Sequence, residues 1–315
     1  MRILSSADIR QALPMADCVD VMAQALSARA AGQVEQPLRS AFLPSGTSSF
    51  PVWMPAYRGG DDPLFGAKQL CIVPDNPARG LDSHQGVVAL FNGVTGEPSA
   101  ILNASAITEI RTAAVSALAT RELAGGNAPT LAILGAGVQA EAHLRAIPIV
   151  RQIKQARVFS PRSAQAFVDR MNVPFDLVAT ASAEEAVRGA DIIVTVTTSK
   201  EPVLQREWIK PGAHVNAAGA SSPEFQEVDD ATVAASELYV DAMQSVLGEA
   251  REFQTGNPDV RGELGDLLIG KAPGRSGPEA ITLFRSLGLA TEDLFAADFA
   301  VRRAIELGLG VDAPI

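Results

Sequence analysis

The spacing of apolar residues changes along the chain and divides it into two parts. In the first part, residues 14–31 place apolar side chains at helical spacing. Short extended runs separated by proline and glycine follow, and the pairs Asn92-Gly93 and Thr95-Gly96 predict a hairpin connection. The first part is therefore expected to be rich in antiparallel strands.

The second part begins with a predicted alanine-rich helix from Thr108 to about Leu123, which the glycines Gly125 and Gly126 end. Short apolar strands and helices then alternate. The predicted strands are TLAILG, ARVFS, ADIIVTVT, HVNAAG and ELYVDA. Strands that alternate with helices at this pace favour a parallel, doubly wound sheet.

Two domains fit the length of 315 residues. We expect a first domain at residues 1–118 and a second at residues 119–299. The C-terminal tail, from about residue 300 to residue 315, can then pack against the first domain. The chain from Thr291 and Glu292 onward is predicted to be helical.

Charge and composition exclude several classes of partner. Acidic residues number 36 against 26 basic ones, so the net charge is −10 and no basic surface for nucleic acid or anionic lipid is expected. No run of about 18 apolar residues occurs, and the first ten residues lack the apolar core of a secretory signal. Only Cys18 and Cys71 are present, too few for a disulfide framework or a zinc cage. These absences predict a soluble cytoplasmic protein.

A glycine-rich turn supplies the most informative local motif. The sequence GAGVQA at residues 135–140 follows an apolar strand and opens a helix. Gly135 permits the tight turn, Gly137 lets backbone N–H groups approach a pyrophosphate, and Ala140 allows close packing of helix on strand. The helix N-terminus adds about half a positive charge toward the phosphates. The residues assigned to cofactor binding in this turn are Gly135, Gly137, Val138 and Gln139.

The end of the next strand favours NADP(H) over NAD(H). About 20 residues after the motif, NAD sites usually offer Asp or Glu to the ribose 2′-hydroxyl. This sequence reads Ser160-Pro161-Arg162-Ser163, without a carboxylate. A guanidinium between two hydroxyls suits a 2′-phosphate. We predict NADP(H) bound by Ser160, Arg162 and Ser163; a solvated Arg162 that merely starts a helix is the alternative, with NAD(H) as the cofactor.

Two cations of the first part occupy positions that resemble core positions. Arg111 shares a predicted helix face with Leu118, so its guanidinium either pairs with a buried carboxylate or binds a ligand. Lys68 shares a predicted strand face with Leu70, and it is either an exposed lysine or a proton-exchanging group of lowered pKa. Arg39 is a weaker candidate on local grounds.

The histidines and the missing motifs argue against metal or serine-type acyl-transfer chemistry. His84, His143 and His214 lack ligand spacing, and no HExxH, CxxC or GxSxG motif occurs. His143 is expected to be structural. His84 is a candidate for lining a site, although a satisfied loop histidine is the simpler interpretation. No metal site is predicted.

Several blocks of sequence are long and distinctive: FGAKQL, the stretch from ALFNGVTGEP to RTAAVSALAT, LGAGVQA, ADIIVTVTTSKEPVL, VNAAGASSPEFQEVD and TLFRSLGLATEDL. Together they resemble the ornithine cyclodeaminase/mu-crystallin family from about Arg39 to the end. The resemblance implies an α/β fold, in which a Rossmann-type doubly wound parallel sheet is joined to an α+β domain for substrate binding and dimerisation. It also implies a homodimer.

The resemblance further implies a substrate site. Arg39, Lys68 and Arg111 correspond to the residues that hold the substrate carboxylate in that family, and Lys68 is our candidate proton donor. The remaining assignments are Met54 and His84 to the substrate pocket, with Phe65 as a further guess, and Thr112, Thr195, Thr197, Gly219 and Ser221 to the cofactor.

One departure from the family pattern separates the expected activities. Cyclodeaminases of this family carry an Asp where this sequence has Ser221, and serine is a poor general base without a partner. The resemblance therefore points to the ketimine reductase branch, which reduces Δ1-pyrroline-2-carboxylate or Δ1-piperideine-2-carboxylate to proline or pipecolate with NAD(P)H. Lys68, Arg111 and Ser221 are the expected catalytic residues. The alternatives are an ornithine cyclodeaminase, a dehydrogenase of open-chain amino acids such as alanine or N-alkyl amino acids, and a non-catalytic protein that binds NADPH or another small molecule.

Overall fold

A computed structural model describes residues 1–314 of the chain, apart from the side chain of Pro77. The helices are α1 (Ser6–Ala12), α2 (Met15–Ala30), α3 (Ala104–Leu123), α4 (Val138–Val150), α5 (Ala164–Arg170), α6 (Ala183–Val187), α7 (Asp230–Ala234), α8 (Met243–Glu249), α9 (Arg251–Thr255), α10 (Leu264–Leu268) and α11 (Ala290–Leu307). None of these helices is both long enough and apolar enough to span a membrane.

The strands are β1 (Arg2–Leu4), β2 (Val34–Glu35), β3 (Ser40–Ala41), β4 (Phe50–Arg58), β5 (Leu64–Ile72), β6 (His84–Asn92), β7 (Pro98–Asn103), β8 (Thr130–Leu134), β9 (Gln155–Phe159), β10 (Asp176–Ala179), β11 (Ile192–Thr195), β12 (His214–Ala217), β13 (Glu237–Val240), β14 (Val260–Glu263), β15 (Thr282–Arg285) and β16 (Val311–Asp312).

The chain divides into two units, residues 1–111 with 289–314 and residues 112–288. Both divisions fall before the positions expected from the sequence, 118/119 and 299/300. The first lies inside α3, where the composition does not change. The second lies just before α11, because the whole of that helix packs with α1 and α2 and against strands β4, β5 and β6.

The first unit is built on a mostly antiparallel sheet with the strand order β16-β1-β7-β6-β5-β4-β2, and β3 pairs with β4. Strands β4, β5 and β6 alternate between buried and outward positions, which is the pattern of a sheet covered on one face. The predicted hairpin is confirmed as the β6–β7 connection. Its turn is held by Asn92, whose Oδ1 accepts hydrogen bonds from the backbone N–H of Val94 at 2.8 Å and of Thr95 at 3.0 Å.

Helix α3 begins four residues before the predicted start at Thr108. The Oδ1 of Asn103 accepts a hydrogen bond from the backbone N–H of Ala106 at 2.9 Å, which is the contact of an N-terminal cap. The helix predicted within residues 14–31 is confirmed as α2.

The second unit contains an eight-stranded sheet with the order β10-β9-β8-β11-β12-β15-β13-β14, in which all described pairings are parallel. The central strands are buried almost throughout, as strands covered on both faces are. The chain runs outward from β8 to β9 and β10 and then returns to β11 on the other side of β8. The switch point therefore lies between β8 and β11. The predicted doubly wound parallel sheet with a mixed α+β companion is confirmed.

Candidate active site

A lysine lies in the core of the first unit. Strand β5 buries Gly66, Lys68 and Leu70 on the face covered by helices, and Lys68 is only 2% exposed. Its neighbours across the sheet are Met54 on β4 and Val88 on β6, both buried. The exposed-lysine interpretation of this position is therefore excluded, and Met54, a candidate for the substrate pocket, lies beside Lys68.

A carboxylate from the C-terminal helix faces this lysine. The Nζ of Lys68 lies 2.7 Å from Oδ2 of Asp293 on α11, and both side chains are 1% exposed. The helix approaches β5 closely because Gly66 has no side chain: a Cβ there would lie 2.6 Å from Cδ1 of Leu294. The absence of a side chain at Gly66 thus lets the first turn of α11 reach Lys68.

The same carboxylate binds the buried arginine of α3. The Nε of Arg111 donates to Oδ1 of Asp293 at 3.0 Å, and its Nη1 donates to Oε2 of Glu292 at 3.1 Å. Oε2 of Glu292 also accepts a hydrogen bond from the backbone N–H of Leu289 at 3.3 Å. Of the two interpretations left open by the sequence, pairing of Arg111 with buried carboxylates is what the structure shows. Asp293 is shared between both cations.

The environment perturbs the proton affinity of this cluster. Burial, helped by the positive charges of Arg111 and Arg39, lowers the pKa of Lys68 to about 8 against the opposing effect of Asp293. Burial disfavours ionisation of Asp293, but the charges of Lys68 and Arg111 outweigh burial and hold the pKa of this carboxyl below its ordinary value. A buried amine that titrates near neutral pH is suited to proton transfer.

The remaining substrate candidates of the first unit differ in placement. Arg39 is half-buried just before β3, and its charge acts on Lys68. His84 is exposed at the start of β6, with Nδ1 2.9 Å from Oγ of Ser83. Phe65 points to the opposite face of β5, where it is 43% exposed and its ring lies 4.5 Å from that of Tyr57. The guess that Phe65 lines the lysine side of the sheet is therefore not supported.

Sequence reasoning missed Asp293 and assigned Glu292 only to the helix start. Carboxylates in the first turn of a helix are ordinarily capping or dipole partners, so their sequence context carries no signal of a site. One sequence feature could have indicated that Asp293 is buried. It is followed by Leu294 and by the alanine-rich face of α11, which is a buried face.

In the second unit, the glycine turn has the geometry that a pyrophosphate requires. Gly135 has φ +126°, and a Cβ there would lie 2.6 Å from the carbonyl oxygen of Val196, so only glycine fits. Gly137 is the N-terminal cap residue of the 13-residue helix α4, and a Cβ there would meet open space. Val138 is exposed and Gln139 half-buried at the first turn. The turn fits a dinucleotide phosphate at a helix N-terminus.

The end of β9 carries the residues expected to bind a 2′-phosphate. Arg162 is exposed, and the hydroxyls of Ser160 and Ser163 lie 2.8 Å apart on either side of it in sequence. The two loops at the carboxyl ends of β11 and β12 carry Thr197, Gly219 and Ser221. Among these, Thr197 is half-buried and Ser221 is exposed.

Two cofactor assignments fall on residues with little or no surface. Thr195 is 0% exposed at the end of β11, so its side chain offers no surface to a ligand. Thr112 on α3 is 6% exposed. Gly219 is half-buried, directly before the buried Ala220 and the exposed Ser221.

The two other histidines are structural. His143 is buried, its ring lies 2.9 Å from Oγ of Ser116, and burial lowers its pKa to about 4. His214 is buried beside Thr282, and burial lowers its pKa to about 3. Within residues 1–314, no group of three His, Cys, Asp or Glu side chains is arranged to bind a metal ion.

Comparison with known proteins identifies relatives over the full length. The profile of the ornithine cyclodeaminase/mu-crystallin family matches residues 1–307. Ketimine reductase mu-crystallin of Mus musculus is 38% identical over 266 residues, which are 84% of this chain and 84% of the relative. Delta(1)-pyrroline-2-carboxylate reductase of Bacillus cereus is 33% identical over 324 residues, covering 98% of both.

Solved structures include a fold of the same kind. The structure of Thermococcus litoralis Delta(1)-pyrroline-2-carboxylate reductase in complex with NADH and L-proline has a TM-score of 0.94 to this chain. The two are 32% identical, and the similarity covers 99% of this chain and 100% of that one.

Proposed function

This chain belongs to the ornithine cyclodeaminase/mu-crystallin family, which confirms the resemblance seen in its sequence, and from that premise we propose that it reduces cyclic imino acids with NAD(P)H. The substrates are Δ1-pyrroline-2-carboxylate and Δ1-piperideine-2-carboxylate, and the products are proline and pipecolate. Relatives whose names state this chemistry align along almost the whole chain.

The observation that carries the proposal is the buried ion cluster of Lys68, Asp293 and Arg111. Fully buried charges are costly unless they are paired. Here a lysine and an arginine share Asp293 in the core of the first unit, and the charge of Arg39 also acts on Lys68. Positive charge concentrated in this way suits the binding of a carboxylate on a small substrate.

The roles follow from these positions. Arg39, Arg111 and Lys68 bind the substrate carboxylate, and Met54 and His84 border the same face of the sheet. Lys68 delivers a proton to the imine nitrogen, directly or through a water molecule, because its lowered pKa lets it give up a proton near neutral pH.

The glycine turn fits a nicotinamide dinucleotide, which when bound supplies the hydride for the C=N carbon. Gly135, Gly137, Val138 and Gln139 hold the pyrophosphate, and Ser160, Arg162 and Ser163 select NADP(H), with NAD(H) as the alternative. Thr112, Thr197, Gly219 and Ser221 serve the nicotinamide half. Thr195 is left out of this set because it has no exposed surface.

Ser221 separates reduction from cyclodeamination. Cyclodeamination needs a base that acts on the substrate amine, and Ser221 is exposed in its loop without a described hydrogen-bond partner among residues 1–314. A hydroxyl in this setting can hydrogen-bond a ligand but does not remove a proton at neutral pH.

We propose that the outward face of the first sheet is the surface of a homodimer. Trp53, Phe65 and Val87 lie on neighbouring strands, on the face opposite Lys68, and are 36%, 43% and 39% exposed. We take these three exposed apolar side chains as a patch that a partner subunit would cover.

The proposal is tested by following NADPH oxidation with Δ1-pyrroline-2-carboxylate and Δ1-piperideine-2-carboxylate, with pyruvate plus methylamine as the open-chain comparison. Turnover with the ring substrates and much weaker turnover with the open-chain pair is expected. Release of proline from ornithine, without reduction of either ring imine, would instead identify a cyclodeaminase. NADPH binding without turnover of any imine would identify a binding protein.

A further inference from the structure

A buried carboxylate joins two loops at the carboxyl edge of the second sheet. Glu227 is 3% exposed, although it belongs to a loop segment rather than to a helix or strand. Its Oε1 accepts a hydrogen bond from the backbone N–H of Thr197 at 2.6 Å. Its Oε2 accepts from the backbone N–H groups of Gly219 at 2.7 Å and Ala220 at 3.0 Å. One side chain therefore takes three main-chain donors from two different loops.

These loops follow adjacent strands. Strands β11 and β12 pair in register from Ile192 and His214 to Thr195 and Ala217, so their ends lie side by side. The β11 loop continues to Thr197, and the β12 loop continues to Gly219 and Ser221. Ligands of open α/β sheets bind outside the carboxyl ends of strands at the switch point, here between β8 and β11.

The loops are packed so closely that only glycine fits between them. A Cβ on Gly219 would lie 2.3 Å from the backbone nitrogen of Thr197 and 2.5 Å from Oε1 of Glu227. The backbone of Glu227 is fixed as well, because its carbonyl oxygen accepts hydrogen bonds from Val203 at 2.8 Å and Leu204 at 2.9 Å. The backbone of Glu227 is thus fixed by Val203 and Leu204, while its side chain binds the β11 and β12 loops.

The carboxylate of Glu227 is buried, and three main-chain N–H groups donate to it. Burial raises the pKa of Glu227, while the backbone N–H of Thr197 and the positive charge of Arg285 oppose this rise. Arg285 is itself anchored, since its Nε donates to Oε1 of Glu252 at 2.6 Å. A buried carboxylate is costly unless it is hydrogen-bonded, and the hydrogen bonds that stabilise Glu227 are the same ones that join the two loops.

We propose that Glu227 is a positioning residue that fixes the β11 and β12 loops in the arrangement needed to bind the nicotinamide half of the dinucleotide. This inference rests on the proposed cofactor use and deepens it. Glu227 need not touch the cofactor, because its three acceptor bonds are occupied by main-chain groups. It acts through Thr197 and through the segment from Gly219 to Ser221.

The test compares two probes of the cofactor site in Glu227→Gln. NADPH requires both halves of the site, whereas 2′,5′-ADP occupies only the half built from the glycine turn and the β9 end. An amide has one acceptor oxygen and presents an NH₂ group to N–H donors, so it cannot hold all three. We expect the Kd for NADPH to rise about tenfold or more and the Kd for 2′,5′-ADP to change less than about twofold.

The matched control is Glu224→Gln, three residues earlier, where the side chain is exposed. It should leave both Kd values unchanged. If Glu227→Gln does not fold, Gly219→Ala crowds the same junction and should give the same selective loss of NADPH binding. The inference is overturned if the Kd values for NADPH and 2′,5′-ADP change equally or not at all. If both affinities fall in parallel and the Tm is lower, Glu227 has a purely structural role.

The binding ratio also separates this inference from the proposed reaction. A wild-type protein that binds NADPH but reduces no imine would refute the reductase, yet the two Kd values would still decide the role of Glu227. Conversely, an active reductase in which Glu227→Gln leaves the binding ratio unchanged would retain its function and lose this positioning residue.

Discussion

Replacing Asp293 with asparagine removes the negative charge that Lys68 faces and leaves the shape of the side chain almost unchanged. In the native structure Oδ2 lies 2.7 Å from Nζ of Lys68, and Oδ1 accepts a hydrogen bond from Arg111 at 3.0 Å. The other charged groups that act on Lys68 are Arg111 and Arg39, and both disfavour its protonated form. In Asp293→Asn, only burial and these like charges would act on the amine, so its pKa must fall.

The size of the change follows from the contact distance. An opposite charge at this range shifts a pKa by roughly 1–3 units, so the pKa of Lys68 should fall from about 8 to roughly 5–7. At pH 7 the protonated share of Lys68 would drop from roughly 90% to between roughly 50% and 1%. If the protonated amine is the proton donor, kcat/KM at pH 7 should fall by roughly 2- to 90-fold and recover at lower pH.

The assay is the pH dependence of kcat/KM for Δ1-pyrroline-2-carboxylate at saturating NADPH, because this parameter reports groups of the enzyme before the imine binds. The wild-type profile should decline above about pH 8, and that decline should move to lower pH in the variant. Glu292→Gln is the matched control: Glu292 contacts Arg111 and the helix start, so its removal should weaken substrate binding without moving the decline.

Two results would refute this reasoning. A profile whose alkaline decline stays in place in Asp293→Asn, with only a uniform loss of rate, would show that Asp293 does not govern the proton on Lys68. An equal shift in Glu292→Gln would assign the effect to the helix start instead. Loss of one partner of a buried pair costs about 3–5 kcal/mol, so thermal denaturation must show that each variant is folded under assay conditions.

Three further perturbations test other parts of the proposal. Lys68→Met should lower kcat by roughly 10²- to 10⁴-fold with the fold retained, since Asp293 keeps Arg111 as its partner, and full activity would remove Lys68 from proton transfer. Arg162→Ala should raise the Kd for NADPH by roughly 10- to 100-fold and leave the Kd for NADH unchanged, whereas equal losses would refute 2′-phosphate recognition. Val87→Lys should reduce the mass measured by light scattering from that of two chains to that of one, while the control Val94→Lys, which is 80% exposed outside the patch, should not.

The second unit was the more predictable part of the fold. Its buried parallel strands are short apolar runs separated by helices. The glycine-rich sequence after β8 is also specific, because it stands between a strand and a helix, as in a dinucleotide-binding turn. Strand β15 was missed, because an apolar run as short as TLFR does not distinguish a strand from the approach to the following helix. The division inside α3 was also beyond reach, since a continuous helix gives no break in composition.

In the first unit, local patterns located the cations but not their partners. The alternation along β5 pointed to Lys68, and the apolar face of α3 pointed to Arg111. Their shared partner Asp293 is 182 positions from Arg111, so only the packing of α11 on the sheet reveals it. A helix-start carboxylate looks the same in sequence whether it caps the helix or faces a buried lysine.

The paired carboxylates change how the cluster of cations is understood. Pairing and ligand binding were alternatives for Arg111 when only its own helix was known, yet a buried cation needs a partner even in a binding site while the ligand is absent. Asp293 and Glu292 provide that partner for Arg111. The observed pairing therefore does not argue against a role of Arg111 in binding a substrate carboxylate, because the same guanidinium must be paired whenever the site is empty.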